Sequence, residues 1–127
     1  EFSSEDLGSM TAHKIGTDTV IPLIEYPTDA GTFFVLALTF EQEGTYRFSL
    51  AASTEASEHA QMAVTLNLDG TVLHTYSYHG GSTAPVTLSR DKEVRGTTHY
   101  LKVFFSHSGL KLHELNIQLV GTLPVIK

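Results

Sequence analysis

Apolar and polar residues alternate with a period of two along much of the chain. Tyr46, Phe48 and Leu50 are interleaved with Arg47, Ser49 and Ala51. Met62, Val64, Leu66 and Leu68 are interleaved with Ala63, Thr65 and Asn67. The same rhythm returns at Leu101, Val103 and Phe105, and again at Leu115, Ile117 and Leu119. Successive side chains of an extended backbone point to opposite faces, so each run predicts a strand with one buried and one wetted face. The inward rows name the expected core: Phe48, Leu50, Leu66, Leu68, Leu101, Val103, Phe105, Leu115 and Ile117. Residues 33–38 are apolar on both faces, which predicts a central strand or one whose outer face is covered.

Turn chemistry separates these runs. Asp69-Gly70 lies between two alternating stretches and pairs two residue types that tolerate positive φ, a hairpin signal. Glu43-Gly44, Gly80-Gly81, Arg95-Gly96 and Ser108-Gly109 mark further reversals. Residues 53–62, with Glu55, Ala56, Glu58, His59, Ala60 and Gln61, have a helix-like composition and read as a loop between strands. About eight strands are expected, with no internal repeat. The predicted fold is all-β, a two-sheet antiparallel β-sandwich of jelly-roll type.

The 127 residues suffice for one domain. Residues 1–9 are polar and small and read as a tag or linker remnant; residues 10–127 read as the β-sandwich domain. The chain has no cysteine, which excludes a disulfide framework, a thiolate metal site and a cysteine nucleophile. Acidic residues number 14 against 8 basic ones, a net charge of −6, and such a surface repels a phosphate backbone, so nucleic acid is not an expected partner. No apolar tract approaches the length of a membrane span.

Candidate chemistry is sparse. No Gly-x-Ser-x-Gly elbow occurs. Glu41 and Glu43 flank a turn and Glu55 and Glu58 fall in the expected loop, whereas glycoside hydrolysis needs two carboxyls facing each other across a cleft. The chain is therefore read as a binding protein and not an enzyme. His74 with His79, and His107 with His113, lack zinc spacing. Glu25, Asp29, Asp69 and Asp91 are oxygen donors that, with backbone carbonyls, leave a structural calcium open. His74, Tyr76 and Tyr78 share one face of a strand that runs into Gly80-Gly81. Their rings suit stacking on a pyranose face, and equally suit ordinary packing.

From Asp29 onward the order of features resembles the galactose-binding-like β-sandwich carbohydrate-binding modules, the group that includes families 6, 35 and 36. Three stretches carry the resemblance: residues 31–38 followed by Gly44-Thr45-Tyr46 and its strand, the hairpin ending Leu68-Asp69-Gly70, and the closing pair 97–105 and 109–117. The resemblance implies a non-catalytic module that attaches a secreted, glycan-active enzyme to a polysaccharide or oligosaccharide, working outside the cell. It places Lys111 where the family often has a hydrogen-bonding asparagine, and His113 near a common calcium-binding aspartate. It also implies a clamping tryptophan, and this chain has none. The expected ligand-binding residues are Tyr76, Tyr78, His79 and Lys111. The run Gly44-Thr45-Tyr46-Arg47-Phe48-Ser49-Leu50 also resembles the C1q- and TNF-like jelly rolls, which implies the alternative of a recognition or oligomerisation domain.

Overall fold

A computed structural model of the chain describes residues 11–26, 28–54, 61–79, 84–107 and 109–122. In order, the strands are β1 (Thr11–Ile15), β2 (Asp18–Pro22), β3 (Phe33–Phe40), β4 (Gly44–Thr54), β5 (Gln61–Leu68), β6 (Thr71–His79), β7 (Val86–Val94), β8 (Thr98–Phe105) and β9 (Leu110–Thr122). They form a five-stranded sheet, β1-β3-β8-β5-β6, facing a four-stranded sheet, β2-β9-β4-β7. Every pairing is antiparallel except β1 beside β3, which is parallel. The fold is the expected all-β sandwich, and no helix of the described residues is long and apolar enough to cross a membrane. The loop expected at 53–62 is shorter at both ends, since Ser53 and Thr54 belong to β4 and Gln61 and Met62 to β5; residues 55–60, the residues read as a tag or linker and Gly80-Gly81 lie outside the described residues.

All nine residues named as core are buried. The inward rows of β4 and β9 meet those of β3, β5, β6 and β8 in a single cluster. Burying such aliphatic and aromatic rows is the main favourable term in folding a sandwich. Among the described residues nine strands form where about eight were expected, and the least legible has a weak pattern for a physical reason. In the edge strand β7, Ser89, Arg90, Asp91, Lys92 and Glu93 are all exposed, and only Val94 is buried. A charged, wet edge strand discourages pairing with another chain. Strand β3 is interior to its sheet, as its two-sided apolar pattern required. Val35, on the outer face, is buried opposite Lys102, whose Nζ lies 4.2 Å from the Phe33 ring centre.

Short turns lock the end of the sandwich that holds the β5–β6 hairpin. Asp69 (φ 53°) and Gly70 (φ 90°) occupy the two positive-φ positions that a two-residue hairpin requires. The Asp69 carboxylate accepts a hydrogen bond from the Tyr100 amide at 2.7 Å and meets His99 Nδ1. His99 Nε2 reaches the Arg95 carbonyl at 2.7 Å, tying this hairpin to the β7–β8 turn. Nearby, Gly44 begins β4 at a point of close approach. A Cβ there would stand 2.5 Å from Leu119 Cδ1 and 2.7 Å from the Gly121 carbonyl oxygen.

That contact generates a stability test. Gly44→Ala should cost about 1–3 kcal/mol, the usual range for overpacking, because one of the two clashing atoms is backbone and cannot step aside. Urea unfolding of the variant measures it. A cost within error of zero would mean that β4 and β9 can separate at this end.

Candidate functional site

Two of the residues expected to bind ligand are inside the protein. Tyr76 is 1% and Tyr78 3% exposed. Tyr76 pairs with Val64 and Tyr78 with Met62, both buried core residues. The Tyr76 hydroxyl donates to the Phe48 carbonyl at 2.6 Å, and the Tyr78 hydroxyl to the Leu50 carbonyl at 2.5 Å. His74, Tyr76 and Tyr78 do share a face, with His74 and Tyr76 ring centres 4.9 Å apart, but the face is the inner one. A bulge explains the inversion. Leu66 pairs with His74 and Asn67 with Val72, so Leu73 is an extra residue in β6. From that point the even-numbered residues turn inward. Neither ring is available to a sugar, and burial pushes both phenols far above their ordinary range. His79 is exposed at the end of β6 and is not among the described residues that line the cleft holding Lys111.

Lys111 lines a cleft of about 400 Å³ at the end of the sandwich opposite the Asp69 hairpin, together with Thr28, Ser53, Thr54, Gly109, Leu110 and His113. Three elements build it. The end of β4 supplies Ser53 and Thr54, the start of β9 supplies Leu110, Lys111 and His113 with Gly109 just before it, and the β2–β3 connection supplies Thr28. Ser53 stands opposite Lys111 in the ladder. Ala51 pairs with Glu114 and Ala52 with Leu112, so His113 is an extra residue in β9. The bulge brings the imidazole to Ser53, and Ser53 Oγ and His113 Nε2 share a hydrogen bond of 2.7 Å. The His113 carbonyl takes the Leu23 amide at 3.0 Å, which holds the bulge against the strand on its other side. The Thr28 hydroxyl donates to the Leu110 carbonyl at 2.5 Å, and the Thr54 hydroxyl to Met62 Sδ at 3.3 Å. A hydroxyl-lined recess with an ammonium group and an imidazole can exchange hydrogen bonds with a polyol. The sequence carries a signal for the bulge. Leu110 and Leu112 alternate in one phase, and Leu115, Ile117 and Leu119 in the other.

A second cavity, of about 580 Å³, is lined by His13, Pro22, Ile24, Glu25 and Tyr26. Its polar groups converge less. His13 Nε2 is buried without a partner among the described residues, and burial lowers the pKa of this ring. Tyr26 stacks on Phe34 at 4.0 Å. The calcium that the fold group implies does not fit the larger pattern of side chains. The position near a family aspartate is His113, a nitrogen donor already bonded to Ser53 and two residues from Lys111, whereas calcium takes oxygen ligands. Asp69 is held by His99 and Tyr100, and Asp91 by Arg47 at 2.8 and 3.2 Å, a pairing that holds its carboxyl below the ordinary range. Among the described residues no three histidine or acidic side chains cluster as a metal site.

With this geometry in hand, solved structures supply the comparison. No protein-family model and no curated protein matches the sequence. Structural likeness is clear nonetheless. The C-terminal family 6 carbohydrate-binding module of a marine laminarinase from Zobellia galactanivorans superposes with a TM-score of 0.64 at 17% identity, over 80% of this chain and 98% of that one. A family 36 module of a multidomain xylanase from the hindgut metagenome of Trinervitermes trinervoides gives 0.64 at 13% identity, over 83% and 99%. The fold is that of the family 6, 35 and 36 carbohydrate-binding modules. The same module fold sits inside larger enzymes. A β-glucosidase from Paenibacillus barengoltzii matches with a TM-score of 0.70 at 17% identity, over 86% of this chain but only 11% of the enzyme.

The buried tyrosines generate a pH test. The unfolded chain titrates its phenols near 10, and the folded chain holds these protons more tightly. Their contribution is therefore fully present below pH 10 and is lost as pH rises beyond it. The double variant Tyr76→Phe, Tyr78→Phe should start about 1–3 kcal/mol less stable, from two hydrogen bonds at about 1 kcal/mol each. It should also lose stability less steeply in alkali. An unchanged alkaline slope in denaturant titrations would show that the two hydroxyls are solvated.

Proposed function

We propose that this chain is a non-catalytic carbohydrate-binding module that holds a polysaccharide or oligosaccharide in the cleft between the ends of β4 and β9. The observation that carries the reading is the convergence of Ser53, Lys111 and His113 in one recess at the end of the sandwich with the longer connections. There the side chains can vary without disturbing the core. The likeness to a part that makes up a small fraction of a larger enzyme supports a role as an appended domain. In that setting the module attaches a secreted, glycan-active catalytic domain to its substrate outside the cell. His79 and Lys111 stay in the proposal, Lys111 within the cleft and His79 as a residue at the same end. Tyr76 and Tyr78 serve the fold.

Saccharide titration followed by amide NMR tests the reading. Shifts should cluster at Ser53, Thr54, Gly109, Lys111 and His113, and the β7 face bearing Arg90 and Asp91 should stay still. Shifts confined to His13, Ile24 and Glu25 would move the site to the second cavity. A chelator gives an independent check. EDTA should leave the Tm of the module unchanged, because nitrogen and ammonium groups occupy the cleft. A fall in Tm that calcium restores would place oxygen ligands elsewhere, with Glu25 and Asp29 the first to substitute.

A further inference from the structure

We propose that the cleft selects an anionic saccharide, one that carries a carboxylate or a sulfate on the sugar it holds. The proposal rests on the reading of the cleft as the saccharide site.

The local charge is opposite to that of the molecule. Acidic residues outnumber basic ones by 14 to 8 over the whole chain. Among the described residues lining the cleft, the ionisable side chains are Lys111 and His113, and none is Asp or Glu. This is a local feature built by backbone geometry. Lys111 stands opposite Ser53, and the bulge adds His113 on the same recess.

The remaining groups have less to offer a ligand. The Thr28 hydroxyl is committed to the Leu110 carbonyl, and the Thr54 hydroxyl to Met62. Ser53 and His113 satisfy one another. Lys111 makes no hydrogen bond or ion pair with the described residues, and its side chain is exposed. No Phe, Tyr or Trp is among the described lining residues, and the His113 ring is bonded to Ser53, so no large ring there is offered for stacking. A neutral sugar would offer hydroxyls, whose bonds to protein replace equivalent bonds to water and yield little net gain. A carboxylate or sulfate facing Lys111 forms a charge-assisted hydrogen bond, the stronger kind. The net negative surface opposes an anionic polymer at long range, so selectivity acts at contact distance and leaves little salt-dependent steering.

The experiment compares D-glucose, D-glucuronate and D-glucose 6-sulfate, titrated into the isotope-labelled chain and read at the Ser53, Lys111 and His113 amides. At low salt at least one of the two anions should bind on the order of tenfold more tightly than glucose, the size of one close charge pair near a wetted surface. The anion that gains more identifies the substituent. In Lys111→Met, which keeps the stem and removes the charge, the anion-to-glucose affinity ratio should fall by a similar factor. Lys111→Arg should restore most of it. Equal binding of glucose and both anions, or a Lys111→Met variant that keeps the ratio, overturns the proposal while leaving the cleft as a saccharide site. If none of the three sugars moves the cleft resonances, the proposal and the reading of the cleft fall together.

Discussion

The two sheets are joined by a pair of hydroxyls. A phenol can be buried only where its O–H finds an acceptor. Strand β4 runs between β7 and β9, so its backbone is already paired on both sides. Its carbonyls still have a second lone pair, and Tyr76 and Tyr78 use those of Phe48 and Leu50. Donors and acceptors are both two residues apart, the period at which a strand repeats a face. The match sets β6 against β4 across the core and leaves no freedom to slide by one residue. It also fixes the far end of β4, where Ser53 and Thr54 meet the start of β9.

This dependence explains why the fold was legible in the sequence and the site was only half legible. Alternation at 46–50, 62–68, 101–105 and 115–119 marks strands because each row is uniformly apolar, and those rows became the core. Asp69-Gly70 marks a hairpin because its conformation has a chemical requirement that few other pairs meet. Strand β7 was obscure because an edge strand has little to bury. The tyrosines were misplaced for a different reason. Counting back from the hairpin along an unbroken ladder would send Thr75 and Ser77 into the core, and the bulge at Leu73 sends Tyr76 and Tyr78 there instead. Period-two reasoning identifies which residues share a face, but a single extra residue decides which face is inside.

Lys111 and His113 were singled out through resemblance to family positions, His113 only as a metal position, and Ser53 was not singled out. Ser53 lies at the boundary of a helix-like stretch, and nothing in its local sequence connects it with His113, 60 residues away. The change of phase between Leu112 and Leu115 was the available clue. It says that an irregularity lies between them, and irregularities in strands tend to re-aim side chains at functional edges. The two ends of the sandwich thus differ in kind. One is closed by Asp69, His99 and Arg95 across short turns. The other receives the four longer connections, β2–β3, β4–β5, β6–β7 and β8–β9, and holds the recess.

The bulge at His113 has an evolutionary consequence. Substituting its side chain changes the chemistry of the recess and leaves the strand in place. Deleting the residue would be a different event. The ladder with β4 would become regular, with Leu110, Leu112, Leu115 and Ile117 all still inside and Lys111 still outside, and the recess would lose only the imidazole that reaches Ser53. Relatives of this chain can therefore diversify here both by exchange of the bulged residue and by its loss, and an alignment that opens a one-residue gap between Leu112 and Leu115 has crossed into a recess built on a regular strand.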